Sequence, residues 1–259
     1  MASVLQVLVA ASLLVFLPSA VPQSSGPAPR PRTDSRPPEP PRTPAGYPNA
    51  TYDFFILSQQ WSTGVCADNP KCVESSKKDY WTIHGLWPQR KGFSHSPYDT
   101  VDFDDADLNP IKEDLNKYWP ALTSKKERYF TFWRYQWEKH GSCAIDVPEL
   151  NGTLEYFNST LRLYKEYNIF KLLFNELIQP SLFRTYSDGD IRNALPEDMR
   201  GNVNIVCKRT TLPIQSLQGR TVSVLTEIHI CLNKTLEPVN CTQEYRRCGR
   251  HNYYLPART

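Results

Sequence analysis

Seven cysteines, Cys66, Cys72, Cys143, Cys207, Cys231, Cys241 and Cys248, constrain this chain more than any other feature. Disulfides persist where a chain meets an oxidising compartment, and an odd number of cysteines leaves one thiol over. The N-terminus supplies that context. Ala2 to Leu17 is an apolar run with no charged side chain, and Pro18, Ser19 and Ala20 follow as small or turn-forming residues suited to cleavage. No Lys or Arg precedes the run, a departure from the usual leader. The run is also shorter than the roughly 20 residues a membrane span needs, so residues 1–20 are expected to be a signal peptide rather than an anchor. Five Asn-x-Ser/Thr sequons, at Asn49, Asn151, Asn158, Asn233 and Asn240, fit the same route and are the expected glycosylation sites. The expected location is extracellular, with the lysosome as the other destination of that route, and no later segment is read as spanning a membrane.

Residues 21–48 are rich in Pro, Arg and Ser and nearly devoid of large apolar side chains. Such a stretch cannot bury a core and is read as a disordered or polyproline linker. The folded domain is therefore expected at 49–259, about 210 residues, enough for a substantial core. A formal net charge of +3 permits a nucleic-acid partner without requiring one.

Tyr52 to Trp61 reads as a buried strand, and a polar loop bounded by Cys66 and Cys72 follows. Tyr80 to Leu86 reads as a second strand that Trp87-Pro88 ends; Tyr80, Thr82 and His84 share one face of it. Asn109-Pro110 predicts a helix start, with Ile111, Leu115 and Trp119 at helical spacing. Ser124 and Glu127 form a candidate capping box for a helix from about Lys125 that stops at Gly141. On it Phe132, Gln136 and His140 recur every four residues, with Lys139 beside them. Leu154 to Tyr167, Ile169 to Leu177 and Asp190 to Leu195 are further helix candidates, and Val203 to Lys208 and Val222 to Leu232 alternate as strands. The expected class is α+β: a single domain with a mainly antiparallel sheet packed by several helices and stapled by disulfides.

Two segments carry chemistry, Trp81-Thr-Ile-His-Gly-Leu-Trp-Pro88 and Phe132-Trp-Arg-Tyr-Gln-Trp-Glu-Lys-His-Gly-Ser-Cys143. Cutting RNA with its own 2′-OH requires a base for that hydroxyl, an acid for the departing 5′ oxygen, and donors for the phosphoryl oxygens. Two histidines and a lysine meet that requirement without a metal or other cofactor. Gly85, next to His84, is expected to let a substrate backbone approach closely. His95, His229 and His251 are read as structural, His229 facing solvent or a neighbour between Ile228 and Ile230. No His-Glu-x-x-His or clustered Cys/His spacing is present, which argues against a metallohydrolase.

Both segments resemble the signature segments of the ribonuclease T2 family of acid endoribonucleases, and the similarity extends more loosely from about Tyr52 to Cys248. The resemblance implies that His84 and His140 are the acid and base pair and that Lys139 stabilises the charged phosphorus intermediate. It implies that Trp87 and Phe132 stack on bases and that Gln59 contacts a base. Trp81, Trp133 and Trp137 are expected in the core. The partner it implies is single-stranded RNA, bound by a monomer.

The chain departs from the family in three places. Tyr135 and Gln136 stand where the family carries a phosphate-binding His and a Glu. An amide can always donate to a phosphoryl oxygen whereas a Glu must first be protonated, so reduced activity with a pH profile less confined to acid is expected. Arg90-Lys91-Gly92-Phe93 lacks the cysteine that commonly bridges the second segment, leaving Cys143 as the expected free, buried thiol. Gln89 replaces an Asp that reads the base in some members. The expected bridges are Cys66–Cys72 and, of the three pairings open to the late cysteines, Cys207–Cys248 with Cys231–Cys241. The competing expectation is a catalytically weakened or inactive secreted RNA-binding or signalling relative.

Overall fold

The computed structural model describes residues 52–73, 77–90, 102–212, 219–242 and 248–257. The expected signal peptide and linker, Asn49, His95 and Lys91 to Phe93 lie outside the described residues. Strand β1 (Phe54–Gln60) is buried along its whole length, as its run of aromatic and aliphatic side chains dictates. The short helix α1 (Ser62–Val65) leads into the loop closed by Cys66–Cys72. Strand β2 (Thr82–Gln89) pairs antiparallel with β1 and forms one edge of the sheet. It continues through Trp87 and Pro88, where the sequence had been read as ending it. Pro88 has no N–H to offer a ladder, and an edge strand has one side where none is needed.

The helices follow. An unpredicted 3-10 stretch, Asp105–Ile111, holds Pro110 in its interior, and Asp104 caps it by accepting from the Ala106 N–H at 2.9 Å. Only then does α2 (Lys112–Tyr118) begin, so the expected start at Asn109-Pro110 is displaced by an earlier, better cap. Likewise the expected Ser124 cap is bypassed: a 3-10 turn, Lys126–Arg128, entered from Lys125 leads into α3 (Tyr129–Lys139). Helices α4 (Thr153–Glu166), α5 (Ile169–Asn175) and α6 (Asp188–Asn193) come next. The capping box that does form is Ser187 with Asp190, at the start of α6.

Strands β3 (Thr185–Tyr186), β4 (Val203–Thr211), β5 (Thr221–Leu232) and β6 (Asn252–Tyr253) complete the sheet. The C-terminal half of β5 lies between β1 and β4, antiparallel to both, while its N-terminal end pairs in parallel with β6. Two-residue strands are too short to show alternation; β6 is fixed by Asn252, whose amide donates to the carbonyls of Tyr186 and Gly249 at 2.8 Å each. Bridges join Cys207 to Cys248 and Cys231 to Cys241, and Cys143 is buried and unbridged. The result is an α+β domain with a mixed, mainly antiparallel sheet.

The sheet has two faces with different duties. Phe55, Leu57, Ile83, Leu86, Ile228 and Ile230 point toward the helices and form the main core with Trp81, Trp133 and Trp137. On the opposite face Phe54, Ile56, Cys231 and Trp87 form a smaller apolar cluster, and Ser58, Glu227 and His229 share that face by register.

Candidate active site

His84 enters the site from a β-bulge. In the pairing of β1 with β2, Ser58 faces Gly85 and Gln59 faces Ile83, which leaves His84 as the extra residue. Bulges re-aim a side chain out of the regular pleat. The displaced backbone is held by the Trp119 indole, which donates to the His84 carbonyl at 3.1 Å, and Trp133 on α3 in turn donates to the Trp119 carbonyl at 2.9 Å. Two indoles, one behind the other, thus hold the backbone of His84, each indole N–H finding the partner it requires when buried.

His140 leaves the C-terminal end of α3, where its backbone turns out of helical geometry into a 3-10 turn, Gly141–Ala144. The turn presses on the core: a Cβ at Gly141 would lie 2.9 Å from the Tyr156 ring and would also collide with Trp137. Tyr156 is buried and donates from its hydroxyl to the Leu86 carbonyl at 2.7 Å. One side chain of α4 therefore touches the turn after His140 and the strand after His84.

Trp87 joins the two histidines. Its ring centroid lies 4.9 Å from that of His84, 5.6 Å from that of His140 and 5.7 Å from that of His229. Its indole N–H donates to Gln136 Oε1 at 3.1 Å. An indole can only donate, so the Gln136 oxygen is the atom facing it and the amide N–H₂ is left as the donating end. Gly85 lies beneath this contact, and a Cβ there would collide with the Trp87 indole nitrogen and the Gln136 oxygen. The missing side chain makes room for Trp87 and Gln136, correcting the expectation that it opens space for a substrate backbone.

His140 is largely buried, and desolvation, with Lys139 and His84 adding repulsion, pushes its pKa down to about 3. Its Nδ1 is buried without a hydrogen-bond partner. Lys139 donates to the Tyr135 hydroxyl at 2.7 Å, and Tyr135 is 46 % exposed. Phe132 is half-buried against the main core.

Two expectations move. Gln59 is 0 % exposed and donates to the Tyr167 carbonyl at 2.6 Å. It points to the helix-covered face of the sheet, because strand alternation sends Ser58 and not Gln59 toward His84, so the structure does not bring Gln59 to the site. Conversely His229, read as structural, is 3 % exposed and part of the site. It brings Glu227, one alternation away on β5, whose carboxylate lies 2.6 Å from His229 Nε2 and 3.3 Å from His84 Nδ1. Burial alone would raise the Glu227 pKa, but His84 and His229 outweigh it and hold the carboxyl well below the usual range. The Glu-x-His spacing was the available signal for this pair.

Comparison with known proteins places this fold and sequence in a family. The model of the ribonuclease T2 family matches residues 52–241. Ribonuclease T2 of Sus scrofa is 36% identical over 190 residues, covering 73% of this chain and 88% of the relative. The crystal structure of human RNase T2 superposes with a TM-score of 0.65 at 29% identity, over 80% of this chain and 100% of that one. A variant of RNase MC1, solved in complex with 5′-GMP, superposes with a TM-score of 0.66 at 27% identity, over 79% of this chain and 100% of that one. With three-quarters of its length matched by the family model and its two signature segments meeting at Trp87, the chain belongs to the ribonuclease T2 family.

Proposed function

We propose that this chain is a metal-independent endoribonuclease that cleaves single-stranded RNA by transesterification. The observation that carries the reading is the convergence of His84 and His140 on Trp87, whose ring touches both. His140, neutral above about pH 3, is the base that takes the 2′-OH proton as that oxygen attacks phosphorus. His84, beside the Glu227 carboxylate, is the acid that gives its proton to the departing 5′ oxygen. The P–O5′ bond breaks as the P–O2′ bond forms, so the products are a 2′,3′-cyclic phosphate and a free 5′-OH. Lys139 and the Gln136 amide supply charge and donation to the phosphoryl oxygens.

Trp87 is already flanked by three imidazoles, so its first task is to space the catalytic pair. Base stacking uses its remaining exposed surface and Phe132, and contributes about 1 to 3 kcal/mol per base with little sequence preference. The complex of the RNase MC1 variant with 5′-GMP supports nucleotide binding on this fold. Tyr135, in place of a phosphate-binding His, ties up Lys139 and lowers the rate without abolishing it. The chain is read as an exported monomer, with residues 1–20 as signal, 21–48 as linker and glycans at the exposed Asn151, Asn158 and Asn240, together with Asn49 and Asn233. Asn233 already donates to Glu237 at 3.1 Å, a contact that a glycan would displace.

The test is cleavage of poly-uridylate by the purified protein in excess chelator. Cleavage that persists with chelator and disappears in His84→Ala supports the reading. Loss of activity on chelation, or an inert parent protein, refutes it, and the inert case leaves the RNA-binding relative as the better description.

A further inference from the structure

Three strands converge on one carboxylate for which the transesterification as written has no part. Glu227 Oε2 accepts from the Ser58 hydroxyl on β1 at 2.9 Å and from His229 Nε2 on β5 at 2.6 Å. Its other oxygen, Oε1, lies 3.3 Å from His84 Nδ1 on β2. Removing a carboxylate from water is unfavourable unless paired groups replace the water; here Ser58 and His229 hydrogen-bond it and His84 lies within ion-pair distance. His229 is almost fully enclosed and cannot reach a phosphate; what it can do is fix the carboxylate and buttress Trp87 from below.

We infer that Glu227 is a positioning residue of this active site: it holds the His84 ring through Nδ1 so that Nε2 faces the departing 5′ oxygen, with Ser58 and His229 fixing the carboxylate in turn. The inference rests on the reading of His84 as the acid. Its need follows from the bulge: His84 lies outside the regular pairing of β1 and β2, so the ladder alone does not set its ring. A carboxylate on the far nitrogen of an imidazole fixes both its orientation and which nitrogen carries the transferable proton. The charged and titratable neighbours are His84 from β2 and His229 from β5. Beyond Trp87 lie His140 and Lys139 from the end of α3.

The experiment is Glu227→Gln and Glu227→Asp, assayed for kcat and KM on poly-uridylate across pH, with thermal unfolding of each variant as the folding control. Glu227→Gln keeps the size and the acceptor oxygen for Ser58 and loses the charge. The expected result is a kcat lower by about 10- to 100-fold with KM little changed, and an alkaline limb of the rate profile moved to lower pH because no carboxylate supports the protonated ring. Glu227→Asp, which keeps the charge at shorter reach, should recover that limb in part. Glu227→Gln with the parent's kcat and alkaline limb overturns the inference, as does a loss of rate that follows unfolding and leaves the limb in place. An inert parent sinks the ribonuclease reading and this inference with it; an active parent with an unaltered Glu227→Gln sinks this inference alone.

Discussion

His140 and Lys139 are neighbours in the chain with opposite electrostatic fates, the ammonium reaching Tyr135 while the imidazole is desolvated. With its pKa pushed from 6.5 down to about 3, His140 is uncharged in the folded protein where the unfolded chain would be protonated. The unfolded state therefore binds more protons between those limits, so stability falls as pH drops from about 6.5 toward about 3 and is untouched by this group above. Thermal unfolding against pH should show a shallower loss in His140→Gln than in the parent; identical slopes would contradict the assignment. On the proposed mechanism the same neutrality leaves His140 ready as a base in acid, and Gln136 needs no proton to donate. Gln136→Glu should steepen the fall in activity toward neutral pH, and superimposable profiles would refute the donor role. The grouping of His84, Lys139 and His140 was legible at this scale because each belongs to a short motif whose neighbours are unusual. Glu227 and Ser58 were not, since alternation reveals that residues share a face but not which face meets another strand's histidine.

The two signature segments are held together by contacts between elements rather than within them. Trp133 of α3 anchors Trp119, Trp119 anchors the carbonyl of His84, and Tyr156 of α4 bonds β2 while packing on the turn after His140. Tyr156→Phe would leave the buried Leu86 carbonyl without its donor, at about 1 to 3 kcal/mol. The expected outcome is a lower Tm with a fall in kcat larger than any change in KM, because the histidines lose their relative placement. A variant with the parent's Tm and kcat would show the bolt to be dispensable. Gly141→Ala should be more damaging, as its Cβ has no room against Trp137 and Tyr156. Most elements were readable from periodicity, including β1, β4, β5, α4 and α5. The ends were not. Asp104 and Lys125 took the cap positions assigned to later or earlier residues, and Pro88 fits an edge strand that sequence cannot identify as an edge.

Across the whole molecule the sheet separates stability from chemistry: the helix-covered face carries the main core, and the other carries Ser58, Glu227, His229 and Trp87. Gln59 falls on the core side by one residue of alternation, where it donates to the Tyr167 carbonyl, a placement that a motif match does not reveal. Loop length governs what each bridge contributes. The Cys207–Cys248 bridge spans 41 residues and the Cys66–Cys72 bridge 6. Chain entropy gives about 4 and about 2 kcal/mol respectively. Replacing the first pair by Ser should lower the denaturation midpoint more than replacing the second, and the reverse order would contradict this. Thiol titration of denatured, unreduced protein should find one free cysteine per chain, Cys143; zero would mean a bridge that the structure lacks. Most direct of all is the chemical identity of the ends left on a single-stranded RNA by the purified protein in excess chelator. The expected result is 2′,3′-cyclic phosphate and 5′-hydroxyl ends from the parent and none from His84→Ala or His140→Ala, whereas 5′-phosphate ends, or cyclic ends still made without both histidines, would contradict it.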